Sequence, residues 1–233
     1  MVLATSTAFT LDYLGKNMAC SQLCLSLAKD NGHHGSPNLR QYLAIAGTTL
    51  EYLGLYIMPL LLPSLAYSSF ELSTMHTALL LTTFWLSDLV IRLLVLRFKT
   101  TRSNALTWTI LFSFCQSAVH VGWAFVTTRT HVFFVAAAAG LMFGGWSGMQ
   151  TTAMVDCLGV GKMVKCQTWL NMIAACAVLC GPPVAALLIH MRLSPHVGPA
   201  VFSAACFGMS GLLLCAARQG GSKGRNPGSS SEA

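Results

Sequence analysis

Long apolar stretches alternate with short polar segments between about residue 41 and residue 217. Each apolar stretch has the roughly 20 residues that a helix needs to cross about 30 Å of hydrocarbon. Inside lipid the backbone must satisfy its own hydrogen bonds, so such stretches form helices. The pattern therefore predicts an all-α membrane protein with six transmembrane helices, near residues 41–63, 75–96, 105–126, 132–155, 167–189 and 197–217.

The polar ends of the chain complete this organisation. Residues 1–40 are expected to form a loosely structured amino-terminal arm, residues 41–217 the six-helix transmembrane domain, and residues 218–233 a disordered tail rich in Gly and Ser. The first residues are a poor signal peptide, because no basic residue precedes the apolar run and Asp12 interrupts it.

Charge is scarce and unevenly placed. Charged residues make up 9% of the chain, whereas soluble domains have about a quarter. The chain has 14 Lys and Arg residues. Arg92 lies within a predicted span, and only Arg129 and Arg192 fall on the side opposite to all the others. Basic residues of short loops mark the cytoplasmic side, so we expect both termini in the cytosol and a multi-pass protein, with the plasma membrane as its expected location. The net charge of +7 is thereby explained without a nucleic-acid partner.

Motifs for soluble chemistry are missing from the sequence. There is no phosphate-binding Gly loop and no nucleophile elbow. Cys20 and Cys24 have no second ligand pair of zinc-finger type. We therefore expect neither an enzyme nor a metal or cofactor, and the lipid bilayer is the first expected partner.

The stretch "SDLVIRLLVLRF", residues 87 to 98, places Asp88 and Arg92 inside the second span. A charge at the bilayer centre costs about 2.5–3.5 kcal/mol on insertion scales, so it normally faces a partner or a cavity. Residues four apart share one helix face, so the two side chains can pair. Two interpretations stay open from the sequence. The pair is either a structural clamp between helices or an anion site, in which Arg92 binds a substrate carboxylate and Asp88 exchanges a proton.

Other polar groups within the spans give weaker signals. Glu51 lies near the middle of the first span. If it faces Arg92, two carboxyl groups share one guanidinium and one of them would stay protonated, which makes Glu51 a second candidate for proton coupling. The favoured alternative is a hydrogen-bonded contact between helices. His120 and Gln150 are more often packed, hydrogen-bonded residues than parts of a proton relay.

Two motifs concern packing and shape. Ala136, Gly140, Gly144 and Gly148 recur at four-residue spacing, which lets a neighbouring helix approach closely. Gly181, Pro182 and Pro183 interrupt the fifth span. Because proline removes a backbone donor and bends a helix, this position is a candidate gate or kink.

The order of these features resembles the carboxyl-terminal half of monocarboxylate transporters, in the major facilitator superfamily. The matching residues are the mid-membrane D-x-x-x-R at 88–92, the stretch "GLMFGGWSGMQTTAMVDCLG" at 140–159, and "VDCLGVGKMVKCQTWLNMIAACAVLCGPPVAALL" at 155–188. The resemblance covers roughly residues 40 to 218. It departs from the family's pattern at Leu93, where proline usually follows the arginine.

The resemblance implies a six-helix bundle that forms one half of a major-facilitator-type transporter. It implies proton-linked or facilitated transport of a small organic anion, a monocarboxylate above all, with Arg92 and Asp88 as the site. The family's amino-terminal half has no counterpart in the sequence, so a partner is expected, either a second six-helix half or another copy of the chain. The alternative is a truncated or regulatory membrane paralogue that does not transport.

Overall fold

The computed structural model describes residues 39–97, 104–190 and 197–222. Within these ranges every regular element is a helix, and no strand occurs. The predictions for residues 1–38, including Cys20 and Cys24, for the loop that contains Arg192 and for tail residues 223–233 concern parts of the chain outside the described residues. The helices are α1 (Leu39–Leu55), α2 (Ile57–Phe70), α3 (Thr74–Arg97), α4 (Ala105–Ala124), α5 (Arg129–Leu158), α6 (Val160–His190) and α7 (Val197–Ser222).

Four segments of the described chain are long and apolar enough to cross a membrane: Leu39–Ser64, Thr74–Val95, Arg129–Leu158 and Val197–Gln219. The all-α fold is thus confirmed within the described residues, and four of the predicted spans are helices with the length and composition of a membrane span. The helices α4 and α6 cover the other two predicted spans, and the apolar part of α6 is shorter, Gln167–Gly181. Six crossings, and the half-transporter architecture, stay predictions.

The first span is made of two helices instead of one. The break lies at Tyr56, between α1 and α2. Pro59 stands three residues further on and has no N–H, so the carbonyl of Leu55 loses the donor that would continue the helix. Pro63 lies inside α2, and Glu71 then ends that helix in the left-handed conformation, with φ of 49°.

Two predicted boundaries are wrong. The loop expected between the fourth and fifth spans shrinks to Gly159, whose φ of 78° suits glycine, and α6 begins at the next residue. Lys162 and Lys165 therefore belong to a helix and not to a loop. At the other end α7 continues to Ser222, so the first residues of the tail predicted from 218 are helical.

Helix α5 lies at the centre of the described bundle and packs most extensively against α3 and α4, while α7 packs against α1 and α4. Large buried side chains fill the space between these helices, among them Phe84, Trp123, Trp146 and Phe207. The opposite surface of α3 is uncovered and apolar, with Leu86, Leu89, Val90 and Leu93 exposed. This arrangement buries one face of α3 and leaves the other for lipid or for a further set of helices.

Candidate functional site

Asp88 and Arg92 form an ion pair within α3. Arg92 Nε donates to Asp88 Oδ1 over 2.8 Å, one helical turn away. The Asp88 side chain is 5% exposed and the Arg92 side chain 26%. One nitrogen of the guanidinium is therefore occupied by Asp88, and the side chain as a whole is partly exposed. A planar guanidinium has five N–H donors, so Arg92 has donors left for a second carboxylate.

The small residues of α5 bring α3 close to the pair. A Cβ on Gly144 would lie 2.4 Å from the backbone oxygen of Asp88 and 2.7 Å from its Oδ1. A Cβ on Gly140 would lie 2.1 Å from the backbone oxygen of Phe84, and one on Gly148 would lie 3.2 Å from Val95. The glycines predicted to allow close packing thus line the contact between α5 and α3, and Gly144 lies directly against Asp88.

One aromatic ring of α5 lies beside Arg92, and further rings pack against it. Its guanidinium carbon lies 5.8 Å from the centre of the Phe143 ring, within the range of a cation–π contact. The Phe143 ring meets Phe84, Trp85 and Tyr56 edge to face. Centroid distances in this aromatic group, including the contact between Phe84 and Trp85, lie between 5.0 and 6.2 Å. Phe143 is not apparent as a site residue in the sequence, because its proximity to Arg92 depends on the packing of α3 on α5.

The two charges of the pair are covered to different extents. Asp88 is covered by α5 of the same chain. Only Arg92 is partly exposed. The physical reason is the strip of glycines, which lets the Asp88 turn of α3 lie directly on the α5 backbone.

Glu51 forms a separate polar site. Its side chain is fully buried. Ser113 of α4 donates to Glu51 Oε1, and Trp146 Nε1 of α5 donates to Glu51 Oε2 over 2.5 Å. The Ser210 hydroxyl of α7 lies beside the same carboxyl group without completing a hydrogen bond of good geometry. Glu51 is thus hydrogen-bonded to two neighbouring helices and lies beside a third, and Arg92 is not among these partners.

Neither Ser113 nor Trp146 is apparent in the sequence as a partner of Glu51. They lie 62 and 95 residues away along the chain, and only the helix packing brings them together. Next to them, Tyr52 and Gln150 are hydrogen-bonded to each other at 2.9 Å, from Gln150 Nε2 to the Tyr52 hydroxyl. Gln150 is therefore a hydrogen-bonded contact between α1 and α5.

Helix α5 separates the two polar sites. Gly144 meets Asp88, whereas Trp146 meets Glu51. Residues two apart on a helix point about 200° apart, so the two sites lie on nearly opposite sides of α5. The sequence-predicted residues therefore fall into two sites, one with Asp88 and Arg92 and one with Glu51.

The predicted kink lies in α6, away from the ion pair. The helix runs through residues 181–183 without an interruption. Gly181 is buried, and a Cβ there would lie 3.5 Å from Ile57 and 3.6 Å from the backbone oxygen of Leu53. The glycine thus faces the junction of α1 and α2, where the first span is itself broken. A gating role for this position stays a prediction.

A cavity of about 690 Å³ opens at one end of the bundle, between the α2–α3 turn and the start of α5. Its lining includes Arg129, His76 and Glu71, with Phe133 and Phe134 as apolar wall. If both termini are cytosolic, as the basic residues predict, this end faces the outside of the cell. In the part of the chain that the structure describes, no group of three or more His, Cys, Asp or Glu side chains is arranged to bind a metal.

No protein-family model matches the chain, and no curated protein is significantly similar to it.

Proposed function

We propose that this chain is a membrane-transport unit for small organic anions, of the monocarboxylate class, with transport linked to protons or facilitated. The observation that carries the proposal is the Asp88–Arg92 pair in an otherwise apolar span, with the Arg92 side chain partly exposed. Intramembrane ionisable residues are retained mainly where they bind substrates, ions or protons. The resemblance to half of a monocarboxylate transporter supports the same function.

In this proposal Arg92 binds the substrate carboxylate. Asp88 already occupies Nε, and the remaining donors of the planar fork suit a second carboxylate. Phe143 and its aromatic neighbours would contact the apolar part of a short organic acid. The pair would bind one negative charge in surroundings of low polarity, where the charge–charge attraction is strong.

Asp88 would act as the proton-exchanging group in the same proposal. When a substrate anion competes for Arg92, the Asp88 carboxylate loses part of its counter-charge. Taking up a proton then removes the repulsion between two neighbouring carboxylates. Anion and proton would therefore bind together, which is what symport requires.

A second candidate is a membrane paralogue that does not transport. The close contact of Asp88 with Gly144 favours it, because an ion pair fixed against a neighbouring helix also stabilises packing. The two candidates differ in whether loss of the Arg92 guanidinium changes uptake in a protein that still inserts correctly.

Uptake of radiolabelled lactate and pyruvate into vesicles that contain the protein tests the proposal. We expect uptake above that of empty vesicles, and faster uptake when a proton gradient is directed inward. If the protein is inserted but uptake equals that of empty vesicles both with and without the gradient, only the non-transporting candidate is left.

The expected orientation of the chain in the membrane leads to a separate prediction. With both termini cytosolic, a membrane-impermeant maleimide added to intact cells should label Arg129→Cys and Arg192→Cys in a cysteine-free background, because basic residues concentrate on the cytosolic side. It should fail to label Lys99→Cys and Lys223→Cys until the membrane is permeabilised. The reverse labelling pattern would place the termini outside.

Assembly is a further expectation. The partly exposed Arg92 and the uncovered apolar face of α3 would lie toward a second six-helix unit, since a charge left toward lipid costs several kcal/mol. Transporters of this general type bind substrate between two such units. Light scattering in mild detergent should count more than one chain per particle, or a bound partner half. A folded single chain that transports in liposomes contradicts this expectation.

A further inference from the structure

A seam of buried polar groups lies between α4 and α7, next to Glu51. The atoms without a hydrogen-bond partner in the described part of the chain include Gln116 Oε1, His120 Nε2, Ser203 Oγ and Ser210 Oγ. All four side chains are at most 2% exposed. Buried polar atoms normally have partners, and bound water is what usually supplies them. Four such atoms in one seam are therefore a feature that packing alone does not explain.

The four residues lie along one stretch of two packed, antiparallel helices. Ser113, Gln116 and His120 recur at helical spacing along α4, and Ser203 and Ser210 lie two turns apart on α7. The two helices are in register there, because Ser117 Oγ donates to the backbone oxygen of Ala204 over 2.8 Å. Ser113 and His120 are about 10 Å apart along α4. The seam thus leads from the Glu51 carboxyl group to the imidazole of His120.

At one end, the surroundings of Glu51 suit both forms of its carboxyl group. Ser113 Oγ bonds to Glu51 and also lies 2.8 Å from the backbone oxygen of Thr109. A hydroxyl has one proton to donate. If Glu51 is ionised, Ser113 donates to it. If Glu51 carries a proton, the carboxyl donates to Ser113 and Ser113 donates to Thr109. The same heavy-atom arrangement therefore accommodates loss and gain of a proton.

At the other end, His120 has one nitrogen free to accept. Its Nδ1 lies 2.9 Å from the backbone oxygen of Gln116. A carbonyl oxygen only accepts, so Nδ1 carries the hydrogen and donates. In the neutral ring the acceptor nitrogen is then Nε2, which has no partner among the described residues. The ring is fixed in orientation by the Phe207 ring, 5.1 Å away between centroids.

We propose that Glu51 and His120 are the two ends of a buried proton-transfer path along the α4–α7 seam. The O–H bond of the Glu51 carboxyl breaks, the proton passes along the seam hydroxyls and bound water, and an N–H bond forms at His120 Nε2. The products are a carboxylate and an imidazolium, and the reverse transfer restores the starting pair. The inference stands apart from anion transport, because it concerns only proton exchange.

No ion pair competes with this path within the described chain. Tyr52, the chain neighbour of Glu51, is bonded to Gln150, and the Cys206 Cβ lies 3.1 Å from the position of a Cβ on Gly54. The same helices also carry Cys115, Asp156, Cys157 and Cys215, and none of these four is a hydrogen-bond partner of Glu51. From α5 the facing group is the Trp146 indole, which does not titrate. Asp88 and Arg92 lie on the other side of α5.

Infrared difference spectroscopy of the protein in lipid vesicles tests the path. The carboxyl C=O band that is missing in Glu51→Gln belongs to Glu51. After transfer into D₂O, the rate at which this band shifts reports how fast the carboxyl group exchanges its proton. We expect His120→Gln to slow this exchange by roughly tenfold or more, since positioned proton-transfer groups typically contribute about a hundredfold. His76→Gln is the matched control, because His76 is exposed and hydrogen-bonded to Ser73, and the exchange rate should stay unchanged.

An equal rate in His120→Gln and wild-type protein overturns the path. The path is also overturned if Glu51→Gln removes no carboxyl band at any pH from acidic to alkaline. If His120→Gln does not fold, Ser203→Ala decides, since its hydroxyl has no protein partner to lose. Slower exchange in Ser203→Ala supports the path, and unchanged exchange contradicts it.

Discussion

Replacing Gly144 with alanine is expected to destabilise the protein by about 1–3 kcal/mol, the usual cost of overpacking a tight core. The new Cβ would lie 2.4 Å from both the Asp88 backbone oxygen and Ile91 Cγ2. A backbone atom cannot move aside as a flexible side chain can, so α3 must shift away from α5. Because Asp88 lies at that contact, the same change should also disturb the ion pair. Thermal unfolding in mild detergent measures the loss of stability.

Gly122→Ala is the matched control for this prediction. It makes the same chemical change in a helix, but no atom lies within 4 Å of the new Cβ. Alanine also favours a helix over glycine by about 0.5–1 kcal/mol, so this variant should be as stable as the wild type or slightly more so. Equal stability of Gly144→Ala and Gly122→Ala would mean that α3 and α5 do not pack this closely.

The second large effect concerns Arg92. Arg92→Lys is expected to lower carboxylate uptake by about tenfold or more, because lysine retains the charge but loses the planar fork, and hydrogen bonds to charged groups contribute about 1.5–3 kcal/mol. Asp88→Asn should remove the acceleration by a proton gradient, since an amide takes up no proton in the working pH range. Initial uptake rates with and without the gradient separate these two effects.

Arg97→Lys serves as the control for Arg92→Lys. Arg97→Lys is the same substitution at the exposed last residue of α3. No carboxylate site is proposed there, so uptake should match that of the wild type. A loss of uptake in Arg97→Lys as large as that in Arg92→Lys would point to a general effect of basic residues on insertion.

Local patterns in the sequence predict a large part of this fold. The apolar stretches place the helices well, because a membrane helix satisfies its hydrogen bonds within one segment. The Asp88–Arg92 contact follows from four-residue spacing alone. The break at Tyr56 was missed, although Pro59 and its missing N–H are visible in the sequence. The helical start at residue 160 is not predicted, because residues 156–166 fall between two predicted spans.

Contacts between distant segments are what the sequence does not reveal. Glu51 is conspicuous as a carboxyl group in a span, but its partners Ser113 and Trp146 are ordinary residues of other helices. Phe143 lies beside Arg92 only because α3 packs on the glycines of α5. Such pairings depend on how each helix is rotated about its axis. A membrane helix is apolar both where it faces lipid and where it faces protein, so its apolar residues do not specify that rotation.

Uptake by a correctly inserted Arg92→Ala variant tests the central claim most directly. Vesicles with equal amounts of wild-type and variant protein, in the same state of assembly, would be given radiolabelled lactate under an inward proton gradient. The account predicts uptake above background by the wild type and background uptake by Arg92→Ala, because the variant has no group left to bind the carboxylate. Uptake by Arg92→Ala at the wild-type rate would contradict it and leave the Asp88–Arg92 pair with a structural role only.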